Sequence, residues 1–160
     1  MIDIASLSVT IKNRKGFTLI EVMVTVAILA ILSAIAYPLY ESQSRKGKRP
    51  AAMALMEEVA QAEQRYFSHM NTFTTTVTDL PGIKSATSAG GYYSITVAPA
   101  VAGSIANSFV VTAEALTTDQ KKDSCQKLTL SDRGVRGGAR LDSKGTSVSD
   151  AEARVICWGK

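Results

Sequence analysis

Residues 17–40 read FTLIEVMVTVAILAILSAIAYPLY, and among these 24 residues only Glu21 is charged. Wound as a helix at about 1.5 Å per residue, the stretch spans roughly 36 Å, enough for the hydrocarbon core of a bilayer. Basic residues flank both ends, with Lys12, Arg14 and Lys15 before it and Arg45, Lys46, Lys48 and Arg49 after it. Charge counting therefore does not choose an orientation. One reading is a secretory signal cut at the small-x-small triplet Ala34-Ile35-Ala36, although the apolar region of such signals usually runs only about 7–15 residues. A second is a plain membrane anchor. A third turns on the junction Arg14-Lys15-Gly16 and the residues that follow it, Phe17-Thr18-Leu19-Ile20-Glu21-Val22.

That junction resembles the type IV pilin family, prepilins and pseudopilins together. The resemblance lies in a basic leader ending in Gly, then an apolar stretch with Glu at its fifth residue. It implies a leader of residues 1–16, cut between Gly16 and Phe17 by a prepilin peptidase on the cytoplasmic side, and methylation of the new Phe17 amine. A cut before the apolar run leaves that run on the mature chain, whereas an ordinary signal cut removes it.

Glu21 then needs an explanation. An acid near the middle of a membrane helix costs on the order of 3 kcal/mol on insertion scales, and less near the headgroups. Either it is tolerated close to the membrane edge, or the Phe17 amine of a neighbouring subunit pairs with it on assembly. The proline at Pro38 removes one helix hydrogen bond. In the resembled family such a proline permits bending during fibre packing, and it also suits a membrane exit.

Residues 41–50, ESQSRKGKRP, are polar and basic, and Gly47 and Pro50 weaken the helix there. The basic cluster reads as a solvated face or as bridges to acids of neighbouring subunits such as Glu57 and Glu58. Helical period returns over 51–70, where Ala52, Met56, Val59, Glu63, Tyr66, Phe67 and Met70 recur at three- and four-residue steps. This stripe is expected to pack on a sheet. The lone His69 has no partner at ligand spacing and reads as structural or exposed.

Residues 71–91 are rich in Thr, Ser, Gly and Ala, with Pro81-Gly82 as a turn signal, and are expected to form a loop. Strands are expected at Tyr92 to Ala98, Ser108 to Ala115, Cys125 to Leu130 and Arg154 to Trp158, from their aromatic, β-branched and alternating content. Ser131-Asp132-Arg133-Gly134 reads as a turn, and Gly137 and Gly138 as further turn residues. Strands without intervening helices suggest an antiparallel meander, so the fold class is α+β. The resemblance implies the pilin version of that plan. Residues 17–40 form the transmembrane and assembly helix, 41–70 its amphipathic second half, and 71–160 the β-sheet head.

The whole chain has 160 residues, with 18 Lys plus Arg against 14 Asp plus Glu, one His and two Cys. The length argues for one domain. An apolar content of 46% excludes a fully disordered chain, and one His with two distant Cys makes a Cys/His zinc site improbable. An even pair of cysteines in an exported domain suggests a Cys125–Cys157 disulfide, the alternatives being two buried thiols or one exposed free thiol. Many type IV pilins carry such a C-terminal disulfide loop. The strand order narrows the resemblance to PilE-type minor pilins and to the related ComP-like DNA-uptake pilins.

No catalytic motif, cofactor or metal is implied, and an enzyme is not expected. From Lys121 to Arg140 six basic residues (Lys121, Lys122, Lys127, Arg133, Arg136 and Arg140) face two acids, Asp123 and Asp132. They are candidates for DNA contact, since Lys and Arg neutralise phosphates and release counterions; a solvated loop with subunit contacts is the other reading. The expected function is a minor type IV pilin, a structural pilus subunit serving motility, adhesion or DNA uptake. Its expected partners are other pilins, the peptidase, the inner membrane before assembly and, in the uptake reading, DNA. The precursor would sit in the inner membrane with a periplasmic head and pass into an extracellular fibre. The alternatives are a type II secretion pseudopilin and an unrelated anchored periplasmic domain.

Overall fold

The computed structural model describes residues 16–100, 105–140 and 150–159. Its first element, α1 (Leu19–Met70), is one helix of 52 residues. The chain divides into two compact units between Leu39 and Tyr40. In the first, every described residue is exposed. An 18-residue window of α1 near the N-terminus, with mean hydropathy 2.6 and none of it buried, is long and apolar enough to cross a membrane.

In the second unit, α1 covers one face of a four-stranded antiparallel sheet of β1 (Tyr93–Pro99), β2 (Phe109–Ala115), β3 (Cys125–Ser131) and β4 (Arg136–Arg140). The strands follow each other in chain order, the meander that their alternation predicts. Alternate side chains enter the core: Tyr93, Ile95 and Val97 from β1, Phe109, Val111 and Ala113 from β2, Leu128 and Leu130 from β3. The register sets like against like, with Val97 opposite Val111 and Val111 opposite Leu130. From α1 the buried face is Ala52, Met56, Val59, Ala62 and Glu63. Tyr66 and Phe67 are only half-buried, and Met70, expected in that stripe, is exposed. The loop after α1 closes the end of the core, where Phe73 stacks on Phe67 at 4.6 Å and meets Phe109 edge-on at 4.7 Å.

Residues 41–50 are helix, as the pilin plan implies, and it is uninterrupted despite Gly47 and Pro50. Two expectations need correction. Residues 136–140 are strand β4 rather than turns. Gly134 does sit in the β3–β4 turn, with φ +73°, but Gly137 and Gly138 lie in strand β4, where backbone leaves no room for a side chain at Gly138. A Cβ at Gly137 would come 2.7 Å from Thr129 Oγ1, and one at Gly138 would strike the Lys127 carbonyl oxygen, beside the register shift between Cys125 and Lys127. The expected last strand over 154–158 is instead the end of a helix, α2 (Asp150–Trp158). Arg154, Val155 and Ile156 are exposed in succession while Cys157 and Trp158 are buried, a pattern that two-residue alternation cannot make.

The helix is fastened at its end. Cys125 and Cys157 form a disulfide with their Cα atoms 5.7 Å apart, and the Trp158 indole N–H donates to the Gly137 carbonyl at 2.8 Å. The bridge thus clamps α2, not a strand, onto the sheet. Replacing both cysteines by Ser should lower stability by about 3–4 kcal/mol for a loop of this size, measured as a fall in the urea midpoint. An unchanged midpoint would contradict a stabilising role.

Glu63 breaks the apolar stripe from within, being fully buried. Its Oε2 accepts the Thr74 N–H at 3.0 Å, while Oε1 has no partner among the described residues. Burial pushes its carboxyl up from the ordinary range, and the Thr74 bond opposes that only in part. A raised folded pKa favours the fold at low pH, and that contribution is lost as pH rises through it. The thermal midpoint of Glu63→Gln should therefore fall less than that of the unaltered protein as pH rises from the ordinary carboxylate range to neutrality. Parallel pH profiles would show that Glu63 carries no such linkage.

Candidate functional sites at the helix start and the disulfide region

The candidate site residues lie in two places. At the first, Phe17 is 84% exposed, and Thr18 closes the start of α1. The Thr18 hydroxyl oxygen accepts the Glu21 N–H at 3.3 Å, and its carbonyl accepts the Val22 N–H at 3.3 Å. Threonine before the first helical residue with glutamate three positions on is the pattern of a capping box. The cap holds Glu21 in the first turn, where the helix dipole favours an acid. Thr18 was legible in the sequence as Thr-x-x-Glu ahead of an apolar run, but its role was not anticipated there. Gly16 and Phe17 are described; Lys12, Arg14, Lys15 and the rest of residues 1–15 lie outside the described residues. Pro38 sits within α1, which continues through it; lacking an N–H, it leaves the Ala34 carbonyl without its usual helix donor.

The second place surrounds the disulfide and holds a buried polar network that sequence reasoning did not identify. Arg49, only 5% exposed, grips Asp123 with two bonds, Nε to Oδ2 at 2.7 Å and Nη2 to Oδ1 at 2.5 Å. The Gln120 amide donates to Asp123 Oδ2 at 3.2 Å and to the Tyr93 hydroxyl at 2.7 Å. That hydroxyl donates to the Cys125 carbonyl at 3.3 Å. Burial raises the Tyr93 phenol to about 12, so it stays protonated and able to donate. On the surface, Asp119 takes Lys48 at 2.9 Å and Arg45 at 3.2 Å, and Lys48, with Arg45 second, holds its carboxyl below the usual range. Three of the four cations after the apolar run therefore pair within the chain. They do not form a wholly solvated face, and acids of neighbouring subunits are not needed to neutralise them.

The six candidate DNA-contacting residues do not form one surface. Lys121 and Lys122 are exposed on a 3-10 turn (Gln120–Lys122) between β2 and β3. Lys127 stands on the sheet face away from α1, opposite Glu114 in register, and lines one depression with Lys121 and Gln126. Arg133 is exposed at the β3–β4 turn. Arg136 is the register partner of the inward-facing Leu130 and turns to the helix side. There its Nη2 meets Glu57 Oε1 at 2.8 Å, and its guanidinium lies 5.1 Å from the Trp158 ring centre. The backbone of Arg140 pairs with Cys125, and its side chain lies outside the described residues. His69 is exposed near the end of α1.

Comparison with known proteins places both regions in one family. A family model described as the type IV minor pilin ComP, DNA uptake sequence receptor, matches residues 38–129, and the prokaryotic N-terminal methylation motif matches residues 11–37. The fimbrial protein EcpC of Eikenella corrodens is 30% identical over 139 residues, covering 87% of this chain and 86% of that one. A fimbrial protein of Neisseria meningitidis is 34% identical over 80 residues, 50% of this chain and 46% of its own length. The match thus spans about half the length of such Neisseria relatives. The solved non-core minor pilin PilV of Neisseria meningitidis is 22% identical, with 68% of this chain and 95% of that one covered at a TM-score of 0.47. The family model covers more than half of the chain, the methylation motif covers its apolar start, and EcpC aligns along most of its length: the chain belongs to the type IV pilins, in the ComP minor pilin family.

Proposed function

We propose that this protein is a minor pilin, made as a membrane precursor and built into an extracellular type IV pilus alongside other pilins. The observation that carries the proposal is the apolar stretch of α1, which is wholly exposed and interrupted by one acid in its first turn. Such a surface is stable in lipid or against similar helices, and moving from one to the other exchanges apolar contacts for apolar contacts. Glu21 makes the two settings unequal. A prepilin peptidase cuts between Gly16 and Phe17, and the freed, methylated Phe17 amine of one subunit pairs with Glu21 of another. Before assembly the acid remains unpaired in the inner membrane, with the head in the periplasm; after assembly it is neutralised. Pro38 supplies a point of bending in the packed helix.

A second reading is favoured by the description of the matching family model, a DNA uptake sequence receptor. Lys121, Lys122, Lys127 and Arg133 are exposed cations suited to phosphate contact. Arg136, held by Glu57 and Trp158, is better suited to holding the head together.

Glu21→Ala should leave the protein in the membrane fraction but absent from sheared fibres, as read by immunoblot of both fractions. Normal incorporation would refute the pairing. For DNA, fluorescence anisotropy should give an affinity that falls with salt at a log–log slope of about −0.9 per phosphate neutralised. Joint replacement of Lys121, Lys122, Lys127 and Arg133 by Ala should abolish that binding. Salt-insensitive binding, or none, would leave the structural role alone.

A further inference from the structure

Gly and Pro are the two poorest helix formers, yet α1 runs unbroken past Gly47 and Pro50. Pro50 has no N–H, so the Lys46 carbonyl loses its helix donor, the same defect that Pro38 creates one segment earlier. The surroundings of the two prolines differ. Leu39, beside Pro38, is 67% exposed. The turn before Pro50 is held from outside. Arg45, Lys48 and Arg49, at three- and four-residue spacing, share one helix face. That face meets the two acids that bracket the 3-10 turn between β2 and β3.

Asp119 takes Arg45 and Lys48, Asp123 takes Arg49 through two bonds, and between them the Gln120 amide donates to the Arg45 carbonyl at 3.2 Å. The turn is itself braced: the Gln120 N–H reaches Thr117 Oγ1 at 3.2 Å, and the Asp123 N–H reaches the Gln120 carbonyl at 2.9 Å. Lys48 also lies 4.4 Å from the centre of the Tyr92 ring, and Arg49 Nη1 donates to the Ile156 carbonyl of α2 at 3.4 Å. One helical turn is therefore fixed to the β2–β3 connection, to the residue before β1 and to the disulfide-bonded helix.

We propose that Asp119 and Asp123 are positioning residues, a clasp that keeps α1 closed across Gly47 and Pro50 and leaves bending of the helix to Pro38. The clasp sets where the helix yields, although the sequence is weaker at 47–50, where Gly and Pro lie three residues apart. The proposal concerns α1 of the single chain and stands whether or not DNA is bound.

Hydrogen exchange read by mass spectrometry, on the full chain in detergent micelles, tests it. In the unaltered protein the amides of residues 46–49 should exchange as slowly as those of the helical stretch 52–62, whose inner face packs on the sheet. Asp123→Asn should accelerate exchange over 46–51 by at least tenfold and leave β1 and β2 unchanged. Asp119→Asn disturbs only surface pairs, so it keeps the fold. It should give a smaller acceleration over 45–49, reproduced in the unaltered protein by about 1 M salt, where screening acts within about 3 Å. Asp132→Asn, at a half-buried acid outside the clasp, should change nothing. Fast exchange at 46–49 in the unaltered protein would overturn the proposal, as would no acceleration in either clasp variant. An acceleration spread equally over β1 and β2 would also overturn it, since Asp123 would then support the whole fold and not this turn.

Discussion

Water is a poor partner for the apolar side chains of residues 17–36, and all of them are exposed. Ile20, Met23, Leu29, Ile31 and Ile35 are all more than 60% exposed, which makes an apolar patch far larger than an ordinary soluble surface tolerates. Lipid covers such a surface, and so does a bundle of like helices. In the proposed function the two covers cost nearly the same, so the stretch serves first as membrane anchor and then as fibre core. There the carboxylate of Glu21, in the first turn of the helix, favours the assembled setting because a neighbouring subunit's amine supplies the cation. On that proposal, transfer between the two settings needs no new hydrophobic driving force.

The second half of α1 obeys a different constraint. Its inner face is covered by the sheet, and its polar start is tied down by ion pairs. The Arg49–Asp123 pair is buried, and burying two charges costs several kcal/mol per ion unless geometry and additional hydrogen bonds compensate. Here both carboxylate oxygens are engaged by Arg49, and Gln120 and Ser124 add partners. The pair joins α1, the β2–β3 connection, the disulfide and α2 at a single point.

Sequence patterns revealed local order better than the contacts between elements. The period of Ala52, Met56 and Val59 and the alternation in β1 to β3 were legible because burial acts on each residue through its own element's geometry. Two elements were misread for identifiable reasons. Val155, Ile156 and Trp158 have the composition of a strand, but the disulfide draws Cys157 to the sheet as part of a helix. Gly137 and Gly138 look like turn residues, but they lie in β4, and at Gly138 a side chain would strike the Lys127 carbonyl at the register shift. The basic cluster at 45–49 looked solvated because its acids lie more than 70 positions away in sequence. Likewise, the closeness of Lys127 and Arg136 in sequence did not make one surface, since strand pairing turns Lys127 and Arg136 to opposite faces of the sheet. The motif at the start of the chain was legible because it is defined by order along the chain and needs no tertiary contact, and the methylation motif matches residues 11–37.

Mass spectrometry of the protein in sheared, purified fibres addresses the central claim, that the apolar helix survives maturation and becomes the contact between subunits. The account predicts a fibre-borne polypeptide beginning at a methylated Phe17 and retaining residues 17–40. Fibres that never contain the chain, or a mature form beginning at Tyr37 without the apolar stretch, would contradict it.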